Sequence, residues 1–382
     1  MREIRIGLPT LPYLRNLFLS FARLISYDSA DVIQEKDALL IRSRGTDVRI
    51  DLARAFDYAV ELIRGYMNRY KTPVEFPLSG NDRKNVIPTL VKNLGLRGDA
   101  RPSEMIEAYA KLVEGIDPPL LQGSLYPFKN SGQLAPLAAF AVDSYGYTRS
   151  PYFDGKYKLE TRLNHHQTII CMAGYVAARS FMTRLGEDWI AVLIFPITFN
   201  VVKYDFYMVL RNSLGYIPGF VPEEALVLWL ALHLPPDFSD DILILGLREP
   251  RGQNPASVIS SIPLHITAFM HRAQRALDLL KSNSMKGRVE ELLRFALQKG
   301  MEGKGRAARP ESAVDDAVNY SKLLFMAVQD FDERKLECLL RSSRTESQTF
   351  GMQDSNVKRR YQISLIARLV AMELLKRSAS LH

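Results

Sequence analysis

The stretch TRLNHHQTIICMAGYVAARSFMTRLG, Thr161 to Gly186, predicts a central helix that follows a long loop. Asn164 is a residue type that caps helix N-termini. One face then follows at helical spacing, made of His166, Ile169, Ile170, Ala173, Ala177 and Phe181. Gly174 lies in that face and indicates close packing against another element.

On the C-terminal side, two continuous apolar runs are typical of buried strands: DWIAVLIFPITF from Asp188 and DILILGLRE from Asp241. Between them, VPEEALVLWLALHL predicts a helix with acids in its first turn. From Pro255 onward the pattern is wholly helical, beginning with SVISSIPLHITAFMHRAQRALDLLK. The sequence therefore predicts an α+β fold, with a mixed N-terminal α/β part over residues 1–254 and a mostly helical C-terminal domain over residues 255–382.

The N-terminal part mixes its elements. LPYLRNLFLSFARLI predicts a helix, DVIQEKDALLIRSRGTDVRIDL predicts short strands, and ARAFDYAVELIRGYMNRY predicts a second helix. SGNDRKN, Ser79 to Asn85, is a polar loop before a short helix that ends at Gly95. Residues 117–164 are dense in Tyr, Phe, Gly, Pro and Ser, and they predict a long loop of the kind that often carries function.

The bulk composition points to an ordinary globular protein. Apolar residues make up 47% of the 382 residues, and no apolar run reaches the roughly 20 residues of a membrane span. The N-terminus lacks the apolar core of a signal peptide, so we expect a cytoplasmic protein with no membrane partner. Cys171 and Cys338 lie far apart and are expected to be buried thiols.

The positive charge is concentrated in one part of the sequence. The net charge is +8, and Arg supplies 33 of the 50 basic residues. Residues 201–250 hold three bases and seven acids, whereas residues 251–310 hold eleven bases and four acids. Such a block is the expected footprint of a polyanion partner. A solvated basic face, or an Arg-rich surface adapted to high temperature, stays open as an alternative.

The paired histidines do not predict a metal or catalytic site. His165 and His166 are adjacent, so on a helix they point about 100° apart and cannot share one metal. GMEGKG lacks the spacing of a phosphate loop, and no nucleophile elbow or dinucleotide fingerprint is present. Asp240-Asp241 and Asp315-Asp316 are expected to be solvated charge. We therefore expect a protein that is not an enzyme and needs no cofactor or metal, although a metal-dependent nuclease built from scattered carboxylates stays open.

Two polar loops in the N-terminal part are candidates for nucleic-acid contact. One holds Arg83, Lys84 and Asn85, and the other holds Lys129 and Asn130 after Tyr126 and Phe128. Lys and Arg meet phosphates, and Asn hydrogen-bonds base edges. Either loop could equally be plain surface.

The C-terminal part adds a basic strip suited to a phosphate backbone. Its candidate residues are Arg272, Arg275, Lys281, Lys286, Arg288, Lys304, Arg306, Arg309, Lys358, Arg359 and Arg360.

The whole layout resembles a known family. An α+β part of about 250 residues, LNHHQTIICMAGYVAARSF after a Tyr/Gly-rich loop, and a helical C-terminal part together resemble the large subunit of archaeal subtype I-A CRISPR interference complexes (Cascade). The resemblance implies a non-catalytic subunit that reads the protospacer-adjacent motif in target DNA. It also implies crRNA, the backbone and small subunits of Cascade, and a helicase-nuclease as partners. A scaffold without nucleic-acid contact stays open.

Overall fold

The computed structural model describes most of the chain. It covers residues 1–25, 30–45, 47–72, 74–129, 132–142, 162–185, 188–197, 205–215, 217, 219–250, 256–299, 313–343 and 355–379, with side chains in the last range described for 357–378. Within these ranges helices predominate and seven strands form two small sheets. The predicted α+β class is confirmed. Over the same ranges, no helix is both long and apolar enough to cross a membrane.

The elements follow one another in mixed order. The strands are β1 (Glu3–Gly7), β2 (Ala30–Gln34), β3 (Ala38–Ser43), β4 (Arg179–Leu185), β5 (Asp188–Pro196), β6 (Ile242–Arg248) and β7 (Ser257–Leu264). The helices of the first half are α1 (Pro12–Ile25), α2 (Val48–Tyr70), α3 (Ile87–Asn93), α4 (Pro102–Gly115), α5 (Pro118–Leu125) and α6 (His165–Ala178). Those of the second half are α7 (Phe206–Leu214), α8 (Glu223–His233), α9 (Ile266–Leu280), α10 (Asn283–Ala296), α11 (Ala313–Asp330), α12 (Glu333–Ser342) and α13 (Ser355–Ala379).

The chain forms two compact units. The first comprises Met1–Met182, Ile190–Met208 and Ile242–Pro263, and the second comprises Thr183–Trp189, Val209–Asp241 and Leu264–His382.

A three-stranded antiparallel sheet of order β1-β3-β2 lies in the first unit. Ile4 and Ile6 of β1 are buried while Glu3 and Arg5 are exposed, as the two-residue period of a half-buried strand requires. The outer edge of β1 is covered by α5. The Gln122 side-chain amide accepts from the Arg5 backbone N–H at 2.9 Å and donates to the Arg5 carbonyl oxygen at 3.1 Å.

The predicted central helix is α6, and its start is confirmed. The Asn164 side chain accepts from the Gln167 N–H at 2.8 Å, and the Gln167 side chain accepts from the Asn164 N–H at 3.0 Å. These two hydrogen bonds form a reciprocal capping box. All residues from His166 to Ala178 are buried, because a helix that is apolar on every side packs on every side.

Gly174 allows α6 to pack closely against α1. A Cβ atom at this position would lie 2.0 Å from the Leu17 carbonyl oxygen, so the two backbones touch where the glycine is. The predicted close approach is confirmed. Aromatic rings fill the neighbouring core, with Phe21 stacked on Phe56 and Phe56 edge-on to Tyr109.

The second sheet has the order β4-β5-β6-β7, and β5 pairs antiparallel with β6. The two predicted buried strands are β5 and β6, and both are confirmed. The flanking strands β4 and β7 were predicted as helix, and that prediction is wrong. Phe181 therefore belongs to a strand and not to the helix face. Pro263 fits β7 because an edge strand has one side that donates no ladder hydrogen bonds.

Three local predictions in the first unit are also wrong. VRIDL begins α2 and is not a strand, since the Asp47 side chain caps that helix by accepting from the Arg49 N–H. Pro118–Leu125 is helical within the predicted loop, with prolines at the first two positions, where the missing N–H costs nothing. The polar stretch before α3 is a π-helical turn, Asp82–Val86, and not a loop.

The second unit contains a helical bundle in which α11 packs against α8, α9, α10, α12 and α13. Phe325 of α11 stacks on Phe269 of α9, with ring centroids 5.0 Å apart. Residues Ala225–Leu232 of α8 are all buried, again as expected for a helix that is apolar on all sides. The exposed cations of the second unit described below lie on α9, α10 and α13.

Candidate nucleic-acid interface

The first predicted cluster, Arg83, Lys84 and Asn85, lies on the π-helical turn before α3, and all three side chains are exposed. The buried Asp82 fixes this turn. It accepts from the Ser79 N–H at 2.8 Å and from the Ala138 N–H at 3.0 Å. Arg83 and Lys84 form no ion pair with any described residue. The turn therefore presents two unneutralised cations on a rigid support.

The amide of Asn85 is already engaged, because it donates to the Asn81 side-chain oxygen. Base-edge reading by Asn85 would require this hydrogen bond to open.

The second predicted cluster follows α5. Lys129 is exposed, and its carbonyl oxygen accepts from the Gln167 side chain at 3.5 Å. Its aromatic neighbour Phe128 packs edge-on against Phe18 with 5.9 Å between ring centroids, so this ring supports the fold. At Gly132 a Cβ atom would lie 2.0 Å from the Leu163 carbonyl carbon, so the glycine serves the chain's own packing. Lys129 is left as the side chain available for a partner, while Asn130 lies outside the described residues.

In the second unit, α9 presents Arg272 and Arg275 on its exposed face. The two lie three positions apart and are therefore neighbours on the helix surface, with His271 beside them. Neither arginine forms an ion pair within the described part of the chain. The opposite face, which includes Phe269, Ala273, Ala276 and Leu280, is buried. The alternation places both guanidinium groups in solvent.

The next predicted residues, Lys281, Lys286 and Arg288, lie at the end of α9 and on α10. Burial lowers the pKa of the half-buried Lys281; the charge of Asp278 opposes this shift, and the charge of Lys286 adds to it. Lys286 lies 4.0 Å from Glu290, so part of its charge is neutralised. Arg288 is exposed and has no acidic partner among the described residues. A phosphate group bound between Lys281 and Lys286 would reduce the repulsion between their charges.

The third basic group lies at the start of α13. Lys358 and Arg359 are exposed, whereas Arg360 is half-buried and donates to Asp316 of α11 at 2.7 Å. Arg360 therefore holds two helices of the bundle together. The Gln362 side chain donates to Glu291 of α10. Lys358 and Arg359 lie about one helical turn before Gln362 on α13, and Arg288 lies about one turn before Glu291 on α10. The hydrogen bond between Gln362 and Glu291 therefore brings these two basic segments near each other.

Three further predicted residues, Lys304, Arg306 and Arg309, lie outside the described residues.

The two histidines of α6 have a structural environment. His166 is 4% exposed, and its Nδ1 lies 2.7 Å from the Tyr109 hydroxyl oxygen. Burial lowers the pKa of His166 to about 3, and the neighbouring His165 adds to this effect. The ring is therefore neutral at physiological pH and accepts or donates within the core. Sequence reasoning correctly assigned the pair to the start of a helix.

The paired carboxylates are not the solvated charges that were predicted. Asp240 is fully buried, and Asp241 lies 3.1 Å from His265. Asp315 pairs with Lys299, and Asp316 pairs with Arg360. Across the described ranges, no group of three or more His, Cys, Asp or Glu side chains is arranged to hold a metal. Cys171 is buried as predicted. Cys338 is exposed, since it lies on the polar side of α12.

Two cations near the first cluster were missed by sequence reasoning. Lys92 lies on the exposed face of α3, and the exposed Arg97 follows that helix. The signal was present in the sequence, because residues 83–98 contain four bases and no acid. A net charge counted over the whole N-terminal part does not show this local excess of bases, because acids elsewhere in that part offset it.

Comparison with known proteins shows which family the chain belongs to. The sequence model of the family described as CRISPR-associated protein, CsaX, matches residues 47–324, which is more than half of the chain. A search of curated proteins finds no match. The matched range includes α2 to α6, the second sheet and the α9–α10 region with its exposed cations. This chain belongs to the CsaX family of CRISPR-associated proteins.

Proposed function

We propose that this chain is the non-catalytic large subunit of a crRNA-guided interference complex of the Cascade type, and that it binds target DNA. Membership in a CRISPR-associated family supports a role in CRISPR defence. The observation that carries the nucleic-acid part is a set of cations on α9 and α10, called the α9–α10 face below: Arg272, Arg275 and Arg288 are exposed and free of acidic partners in the described part of the chain. Cations without intramolecular partners are suited to phosphates, because no ion pair must break first.

The roles divide between the two units. In this proposal the α9–α10 cations track a strand by its phosphates, which gives affinity without sequence preference. Arg83, Lys84 and Lys129 on the first unit are the candidates for contact near the protospacer-adjacent motif. Lys358 and Arg359 extend the strip on α13. Duplex unwinding and cleavage belong to the helicase-nuclease partner, and the guide RNA reads the remaining target sequence.

An electrophoretic shift assay tests the proposal. The full chain is incubated with a short duplex and a matched single strand at about 50 mM and about 200 mM salt. The test variant is Arg272→Glu/Arg275→Glu. The matched control is Arg334→Glu/Arg341→Glu on α12, which makes the same charge change at two exposed positions of the same unit. Circular dichroism verifies that both variants are folded.

We expect salt-sensitive binding that the test variant loses and the control retains. Equal loss in both variants would mean that only net charge matters and would contradict a specific face. Absence of binding at low salt by the folded chain would refute nucleic-acid binding by this subunit alone. Metal-dependent cleavage of either substrate would refute the non-catalytic role.

A further inference from the structure

The outer face of α13 carries an uninterrupted stripe that the bundle does not use. Six exposed residues follow one another at intervals of three or four, which is the spacing of one helix face. In order they are Lys358, Tyr361, Leu365, Arg368, Met372 and Lys376. The stripe spans about five turns, or roughly 27 Å at the rise of an α-helix. We call these six residues the α13 stripe.

The stripe is opposite the packed side of the helix. Ile363, Ala367, Val370 and Leu374 are buried within the second unit, where α13 packs against α10, α11 and α12. The bundle therefore takes its stabilisation from one side of α13. The residues of the stripe lie outside that core and are exposed.

Apolar side chains remain exposed along the stripe. Tyr361 is 48% exposed, Leu365 is 42% exposed and Met372 is 37% exposed. One exposed apolar residue needs no explanation, but three on a single helix face form an apolar seam, in which Arg368 lies between Leu365 and Met372. A seam of this spacing matches the way one helix packs against another.

The charges on α13 separate the two sides further. Arg360 pairs with Asp316, and Arg377 pairs with Glu373. In contrast, Lys358, Arg368 and Lys376 of the stripe, together with the adjacent Arg359, form no ion pair with any described residue. No acid belongs to the stripe. A partner that covers the apolar seam must therefore bring negative charge beside it.

We infer that the α13 stripe is a docking surface for an acidic amphipathic helix of a partner protein. Apolar side chains of that helix would cover Tyr361, Leu365 and Met372. Its flanking carboxylates would pair with Arg368 and Lys376, the two cations of the stripe that the proposed DNA contact leaves unused. The inference is independent of nucleic-acid binding by the α9–α10 face.

Two other occupants fit the stripe less well. A second copy of this chain would place its own Lys358, Arg359, Arg368 and Lys376 against the same four cations, and the repulsion between like charges makes this pairing unfavourable. Single-stranded nucleic acid would satisfy the cations and could stack on Tyr361, but Leu365 and Met372 offer no aromatic face to a base. The apolar seam therefore favours a protein helix.

A designed helix serves as the probe. It is a fluorescent synthetic peptide of about 21 residues, with Leu at the a and d positions and Glu at the e and g positions. The comparison peptide carries Lys in place of every Glu. Binding to the full chain is followed by fluorescence anisotropy. The variants are Met372→Ser, Leu365→Ser/Met372→Ser and Arg368→Glu/Lys376→Glu.

Met326→Ser on α11 is the matched control for Met372→Ser, because Met326 is 38% exposed in the same unit. All changed side chains are exposed, and thermal unfolding verifies that each variant is folded.

We expect the Glu peptide to bind, and the Lys peptide to bind at least about tenfold more weakly because its charges repel the stripe. Both double variants should weaken the Glu peptide about tenfold or more, because central apolar anchors and charge pairs dominate such interfaces. Met326→Ser should leave binding unchanged. Equal binding of the two peptides, no binding of the Glu peptide, or insensitivity to the variants would overturn the inference.

Two further results would assign the stripe to another occupant and also overturn it. One is a dimer in sedimentation velocity that Leu365→Ser/Met372→Ser abolishes. The other is single-stranded DNA binding that the same variant abolishes while the Glu peptide does not bind.

Discussion

The salt dependence of DNA binding provides a quantitative test of the α9–α10 face. Four cations on this face carry charge that no salt bridge of the described part neutralises: Arg272, Arg275, Lys281 and Arg288. If each of these four meets one phosphate of a short duplex that makes no other contact with the chain, the slope of log Kobs against log salt is about −3.6, at roughly −0.9 per phosphate. A fourfold rise in salt, from about 50 to 200 mM, then weakens binding about 150-fold.

Neutralising two of the four cations changes this slope by a predictable amount. For Arg272→Ala/Arg275→Ala the expected slope is about −1.8, so the same rise in salt weakens binding only about 12-fold. Alanine is used here because a reversed charge would add repulsion and obscure the count. Arg334→Ala/Arg341→Ala on α12 should keep the wild-type slope.

Fluorescence anisotropy with a labelled duplex, titrated at several salt concentrations, gives the slope directly. A single strand of the same sequence should give a shallower wild-type slope of about −2.8, at roughly −0.7 per phosphate. An unchanged slope in the α9 double variant would show that Arg272 and Arg275 do not meet phosphates. The reasoning from unpaired cations to phosphate contact would then be refuted.

Three further predictions concern stability, each measured by urea unfolding. The pKa of His166 is about 3 in the folded chain and ordinary in the unfolded chain, so the unfolded state binds more protons as the pH falls below about 6.5. The free energy of unfolding should therefore fall by about 2 kcal/mol from pH 7 to pH 5. His166→Gln should remove that part of the loss. The buried Arg179 lies 2.7 Å from Glu249, so Glu249→Ala should cost about 3–5 kcal/mol because it removes a carboxylate that neutralises a buried guanidinium, and a cost below about 1 kcal/mol would contradict this assignment. Gly174→Ala should destabilise the chain by about 1–3 kcal/mol through the clash with Leu17. In contrast, Gly287→Ala, where a Cβ atom meets nothing within 4 Å inside α10, should stabilise it by about 0.5–1 kcal/mol.

Local sequence signals predicted the elements that depend on local interactions. Asn164 predicted the start of α6. Gln167, three residues later, completes the cap, because the two residues exchange side-chain to backbone hydrogen bonds with each other and need no distant partner. The buried strands β5 and β6 followed from continuous apolar runs. In contrast, RSFMTRL and SVISSIPL are short and have no decisive period. They form strands because they flank β5 and β6 in the sheet, and that pairing joins residues far apart in sequence.

The candidate site shows the same limit. Arg272 and Arg275 were predicted as members of one basic strip, and the structure places both on the exposed side of α9. No local pattern predicted that Arg360 pairs with Asp316, which is 44 positions away, while its neighbours Lys358 and Arg359 stay in solvent. Within a run of basic residues, long-range contacts decide which cation supports the fold and which is available for a partner.

The contact between Gln122 and β1 has a consequence for assembly. A side-chain amide offers one acceptor and one donor, the same pair that a peptide unit of an added strand would offer. Gln122 thus occupies the hydrogen-bonding positions of Arg5 that an incoming strand would need. Strand addition at this edge is thereby blocked, and growth of the sheet into a neighbouring chain is prevented there. Subunits that join the first unit at this place must dock through side chains and not by extending its sheet.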